Sequence, residues 1–220
     1  MELSRGGNRC RWKAVPGTRY QIPGTAFHFT AFLYIPMSQP PRSMTTSASP
    51  TNALENETPF SLLFTDLKPE LTTTRRILER VPNGKDDWRP HEKSMTLGTL
   101  ANHVAQLPGL GILMLTTEEF DAAKRSPQPK PADAAERLKI FDRVTTELLK
   151  QLEGLDWDRA MSPWKFSVGE RVVVNAPRAK VIRNMVVTHL AHHRAQLGVY
   201  LRLLGVPIPG SYGPSADEPI

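Results

Sequence analysis

Residues 178–204 read RAKVIRNMVVTHLAHHRAQLGVYLRLL, and this stretch decides the fold. Pro177 precedes it, Gly205 closes it, and Pro207 and Pro209 follow. That is the punctuation of a helix that begins after a proline and stops at a glycine. Ile182, Met185, Val186, His189, His193, Gln196 and Tyr200 recur mostly at three- and four-residue steps, so they fall along one helical face. The spacing predicts a long helix over about 178–204 carrying His189, His192 and His193.

Three further helical patterns lie upstream. Thr58-Pro59 is a cap residue followed by proline at the first helical position, and Leu62, Leu63, Leu67, Leu71, Ile77, Leu78 and Val81 continue the pattern to Pro82-Asn83-Gly84. Pro69 is expected to bend this first helix. A second helix starts after Thr96 and runs over about 97–115, with a kink expected at Pro108-Gly109. A third opens at Asp133 with Glu136 three residues on, shows a stripe of Leu138, Phe141, Val144, Leu148, Leu149 and Leu152, and ends near Gly154. Between the third and the last, Trp164 to Asn175 alternates around Val168-Gly169-Glu170, the pattern of a short hairpin. Four helices without a sizeable strand set predict an all-α protein, a four-helix bundle with a short hairpin-like insertion before its last helix.

Composition agrees with a folded body. The 220 residues are 40% apolar and 23% charged, which excludes disorder throughout. The single Cys10 excludes a disulfide framework, and a reducing, cytoplasmic setting is expected. No apolar run reaches the length of a membrane span. The chain carries +6, but residues 1–50 hold Arg5, Arg9, Arg11, Lys13, Arg19 and Arg42 against the one acid Glu2. Residues 51–220 are left with a net charge of only +1, so the electrostatic footprint of a nucleic-acid-binding domain is missing from the body. Residues 1–50 also lack helical period and are expected to be a disordered or mis-assigned extension, with translation starting at Met44; residues 51–220 form the bundle. Cys10 lies in that extension and is excluded as a nucleophile.

The chemistry-bearing residues are histidines. His189 and His193 are one turn apart, so both imidazoles can reach one metal ion. His189 with His192 is also open geometrically, but His193 is offset by about 40° around the helix against about 60° for His192. His103 sits on the stripe of Leu100, Val104 and Leu107, and supplies a third ligand if the second and last helices are neighbours. The glutamate that serves as general base in zinc proteases with the HExxH motif is absent from His189-Leu190-Ala191-His192-His193. Three neutral imidazoles leave open positions for water or substrate on a divalent ion, and the ligand set alone does not choose between Zn, Ni and Fe. Weaker catalytic candidates are Gln106, one turn from His103; Arg194, which could hold an anionic substrate; and Tyr200, which could donate a proton. Gln196 could orient a ligand ring, and Trp88 and Trp164 could wall a pocket.

Two long strings carry a family likeness. DWRPHEKSMTLGTLANHVAQLPG spans Asp87 to Gly109, and HLAHHRAQLGVYLRLLGVPIP followed by YGPSADE falls within residues 184–218. Both resemble the DinB family, the DinB/YfiT-like metalloenzymes, and the resemblance covers roughly residues 57–218. It implies an up-down-down-up four-helix bundle, often a homodimer, with a divalent metal on three histidines. The matching positions are His103, His189 and His193. It also implies activities of the thiol-dependent transferase and isomerase kind.

The expected function is therefore a metal-dependent enzyme, a hydrolase or thiol S-transferase, that activates water or a low-molecular-weight thiol for attack on a small-molecule substrate. The competing expectation is a non-catalytic bundle, either a stress-response binding module or a metal-stabilised structural dimer. No nucleic-acid or membrane partner is expected.

Overall fold

The computed structural model describes residues 57–126 and 130–219, all within a compact unit spanning Pro50–Ile220. The expectations for residues 1–50, including the start at Met44, lie outside the described residues.

The stretch expected to be a first helix is two helices. Helix α1, Pro59–Leu63, is closed at its start by a capping box between Thr58 and Ser61. The chain turns at Thr65 and Asp66, and α2 runs over Leu67–Leu78. Pro69 falls in the first turn of α2, where a missing N–H leaves no intrahelical bond unmade, so the proline starts this helix rather than bending one. Gly84 then takes a left-handed turn at φ 75°.

Helix α3, Leu97–Thr116, begins at Thr96, whose hydroxyl accepts the N–H of Thr99, and stays helical through the buried Pro108. Helix α4, Ala134–Glu153, is capped by Asp133, which accepts the N–H of Glu136, while the Glu136 carboxylate accepts the N–H of Ala132. The last long helical run is continuous from Arg178 to Leu203 but not uniform. It comprises α6, Arg178–Ile182, a π-helical turn over Arg183–Thr188, and α7, His189–Leu203. A short helix α5, Trp157–Met161, had no sequence expectation.

Helix α3 packs on α4 and α7, and α2 packs on α7 and α4. Between them lie Leu71 and Ile77 of α2, Leu100, Val104 and Met114 of α3, Phe141 and Leu148 of α4, and Leu190 and Leu197 of α7, all at most 3% exposed. Burial of such side chains contributes roughly 1.5–3 kcal/mol each before chain entropy is counted. Gly111 allows α3 to approach α4 closely, because a Cβ there would stand 2.7 Å from Cδ1 of Leu148.

The protein is mostly helical but carries a three-stranded sheet, which corrects the all-α expectation. Strand β2, Pro163–Val168, pairs antiparallel with β3, Arg171–Pro177, through a turn at Gly169 (φ 60°). This is the expected hairpin. Strand β1, Glu119–Asp121, joins β2 in parallel just after the end of α3. Two anchors fix the sheet to that helix end. The indole N–H of buried Trp164 donates to the Thr117 hydroxyl. The guanidinium of buried Arg178 donates to the carbonyls of Met114 and Thr117, filling acceptors that a helix C-terminus leaves open. Trp164 is thus part of the core and not a pocket wall.

Candidate metal centre

Helix α3 and helix α7 bring three imidazoles together. His103 lies in the first half of α3, next to buried Val104, and His189 and His193 begin α7. One ligand atom from each of the three lies within 4.8 Å of the others. The ring centroid of His103 is 5.1 Å from that of His189 and 4.5 Å from that of His193. The exposed His192 ring lies 4.8 Å from that of His193 and is outside the trio.

Hydrogen bonds set the orientation of two of these rings. Nδ1 of His189 lies 3.3 Å from the carbonyl oxygen of Met185. A carbonyl only accepts, so Nδ1 carries the proton and Nε2 holds the lone pair. Met185 belongs to the π-helical turn that immediately precedes His189, a backbone form found often at functional sites. Nδ1 of His193 lies 2.7 Å from Oε1 of Gln196. With that amide oxygen facing the ring, His193 is fixed in the same tautomer. The two Nε2 atoms then face each other 2.7 Å apart. Two lone pairs at that separation repel unless a cation or a proton lies between them.

Electrostatics favour the neutral, ligating form. Burial pushes the pKa of His103 down to about 4, helped by the neighbouring His193 and His189 and by the positive charge of Arg125. The His193 ring is also held below its ordinary value, mainly by burial. A deprotonated imidazole is what a metal requires. The donor set of three such nitrogens fits a divalent ion of the Zn, Ni or Fe kind.

The other sequence candidates fall in different places. Gln106 lines an open cleft of about 340 Å³ together with His103. Arg194 does not face an open space. It is 3% exposed, it contacts the carboxylate of Glu70 at 2.5 Å, and it donates to the Glu70 carbonyl and the Thr74 hydroxyl. The Glu70 contact falls outside hydrogen-bond geometry and is ionic. The Tyr212 ring covers the guanidinium at 5.1 Å. The cation of Arg194 thus already faces a carboxylate inside the core. Tyr200 donates its hydroxyl to the carbonyl of Met95 and packs edge-on against Trp88, so both aromatics fasten the loop before α3.

Sequence reasoning missed the groups around the cleft. Buried Arg137 of α4 donates to the side-chain oxygen of Asn102 at 2.7 Å and to both oxygens of Asp86 at 3.3 Å. Asn102 directly precedes His103, and an arginine among the apolar positions of α4 was the signal available.

Comparison with known proteins agrees with this architecture. An uncharacterized protein of Bacillus subtilis, YrdA, is 22% identical over 149 residues, covering 68% of this chain and 85% of its own length. The crystal structure of a DinB-like protein from Bacillus cereus superposes with a TM-score of 0.53 at 19% identity, covering 68% of this chain and 95% of that one. A second, the DinB-like protein YjoA of Bacillus subtilis, gives 0.50 at 15% identity over 71% of this chain and 97% of its own. The sequence model of the DinB family matches residues 51–219, and the chain belongs to that family.

Proposed function

We propose that the protein is a divalent-metal-dependent enzyme whose metal is held by His103, His189 and His193. The facing Nε2 atoms of His189 and His193, each with its Nδ1 turned to an oxygen, carry this reading. When bound, the ion would supply Lewis acidity that lowers the pKa of a contacting water or thiol. The chain's own part is to keep His103 and His193 neutral and the rings of His189 and His193 oriented. Burial of His103 excludes its proton at neutral pH, and Met185 and Gln196 hold the outer ring protons.

The reaction class is hydrolysis or thiol S-transfer, with a low-molecular-weight thiol or water attacking a small electrophile. The reading extends to an up-down-down-up course of α2, α3, α4 and α7, a homodimer and a cytoplasmic setting. The near-neutral charge of residues 51–220 supports a small-molecule substrate over nucleic acid. Among the described residues no helix is long and apolar enough to cross a membrane.

The test is metal content of the purified protein, then turnover across paired panels of thiols and electrophiles. Bound metal near one equivalent and activity lost in the His103→Ala/His189→Ala/His193→Ala variant are expected. Full activity in that variant would end the reading. A second reading, a metal-stabilised structural dimer or stress-response binding module, is favoured by one observation. Arg194 and Tyr200, the charged and proton-donating candidates, both serve packing contacts. In that case metal raises the melting temperature and no substrate turns over.

A further inference from the structure

The cleft that opens on His103 has a chemical character of its own. Its lining comprises Asp86 and Asp87 of the loop before α3, Asn102, His103 and Gln106 of α3, and Lys130 and Pro131 ahead of α4. The Asp86 wall is built in place. A Cβ on Gly98 would stand 2.8 Å from Cβ of Asp86, so only glycine lets the loop seat this close. Arg137, 1% exposed, holds Asp86 and Asn102 from behind.

The N-terminus of α3 at this cleft offers nothing to an anion. The N–H of Leu97 donates to the Trp88 carbonyl, that of Gly98 to the Asp86 carbonyl, and that of Thr99 to the Thr96 hydroxyl. The charges of Asp86 and Arg137 match each other. What remains for a ligand is one carboxylate and one ammonium in the lining of the same cleft. Among the described residues Asp87 and Lys130 have no ion-pair partner, and both are exposed. Asn102 gives its oxygen to Arg137, which leaves its two amide N–H groups as donors. A volume of about 340 Å³ suits a molecule of amino-acid to dipeptide size.

We propose that this cleft binds a zwitterion of the α-amino acid class, with its ammonium on Asp87 and its carboxylate on Lys130. The reacting group of such a substrate would lie toward His103. The assignment of this molecule as substrate rests on the metal-dependent reading above; the cleft's selectivity does not.

The test uses full-length protein treated with chelator, so its outcome is independent of metal. Binding of L-serine, ethanolamine and 3-hydroxypropionate is measured by ligand-observed NMR. L-Serine is expected to bind about tenfold more tightly than either truncated analogue. Asp87→Asn should weaken L-serine and ethanolamine by about tenfold and leave 3-hydroxypropionate unchanged; Lys130→Met should weaken L-serine and 3-hydroxypropionate and spare ethanolamine. Equal binding of all three probes, or an equal loss for all three in either variant, would overturn the proposal. Both side chains are exposed, so the variants are expected to fold. If the probes discriminate but no metal is found on the trio, the metal reading fails while the cleft assignment stands.

Discussion

Nε2 of His189 and Nε2 of His193 lie 2.7 Å apart on successive turns of one helix, with both outer ring nitrogens turned to oxygens. Bringing two lone pairs this close costs the metal-free fold, and a cation between them removes that cost. Metal should therefore stabilise the protein. At a free zinc concentration 100-fold above Kd the gain is about 2.7 kcal/mol. That corresponds to a rise of roughly 5–10 °C in Tm for a domain of this size. Calorimetric scans with zinc and with chelator check it. The His189→Ala/His193→Ala variant should show no metal-dependent rise.

Gln196 is the partner of the His193 ring, one turn further along α7. Gln196→Leu removes the acceptor at Nδ1 and frees the ring to take the other tautomer. Metal affinity should fall about 10–100-fold, with helix content unchanged. Gln196→Glu keeps an acceptor there and adds charge, so affinity should be retained or increase. A competition titration against a chromophoric chelator separates these outcomes. Equal loss in both variants would mean that the amide merely packs.

The pKa of His103, lowered to about 4 by burial, sets two pH dependences. In the metal-free protein, the folded value lies below that of an unfolded imidazole, near 6.5. The unfolded chain therefore takes up more protons as pH falls through that window. The stability associated with this residue is present in full above about 6.5 and lost as pH falls toward about 4. His103→Gln should flatten this loss in urea unfolding between pH 7 and pH 4.5. Metal binding gives the second dependence. Three ordinary imidazoles would lose up to about three decades of affinity per pH unit below their pKa. With His103 neutral to about pH 4, the slope between pH 5.5 and 4.5 should not exceed about two decades.

The histidine trio was legible in the sequence because its geometry is mostly local. The four-residue step from His189 to His193 fixes two rings by helix pitch alone, and His103 falls on the apolar stripe that α3 turns inward. What escaped depends on partners distant in sequence or on a change of backbone form. Strand β1 is three residues long and exists through pairing with Lys165–Ser167. The π-helical turn before His189 breaks no apolar pattern, so a uniform helix was expected. The apolar spacing likewise continues across Phe64–Asp66, where the first helix divides. The burial of Arg194 escaped too, since it arises from Glu70, 124 positions earlier in the chain.

That buried pair makes the last prediction. Arg194 and Glu70 join α7 to α2 with side chains 3% and 10% exposed. Removing one member leaves the other charge without its partner in a poorly hydrated place, which typically costs about 3–5 kcal/mol. Arg194→Met should therefore destabilise the protein by about that amount in urea unfolding. Replacing both charges removes the stranded ion, so Arg194→Met/Glu70→Leu should regain most of the loss. Metal affinity should stay near that of the parent in the double variant, because the pair's polar contacts run between α7 and α2 and the metal trio includes neither residue. If Arg194 instead bound an anionic substrate, the double variant would be stable yet lose that substrate's affinity. Comparing its KM with its urea midpoint separates an arginine that holds two helices together from one that holds a ligand.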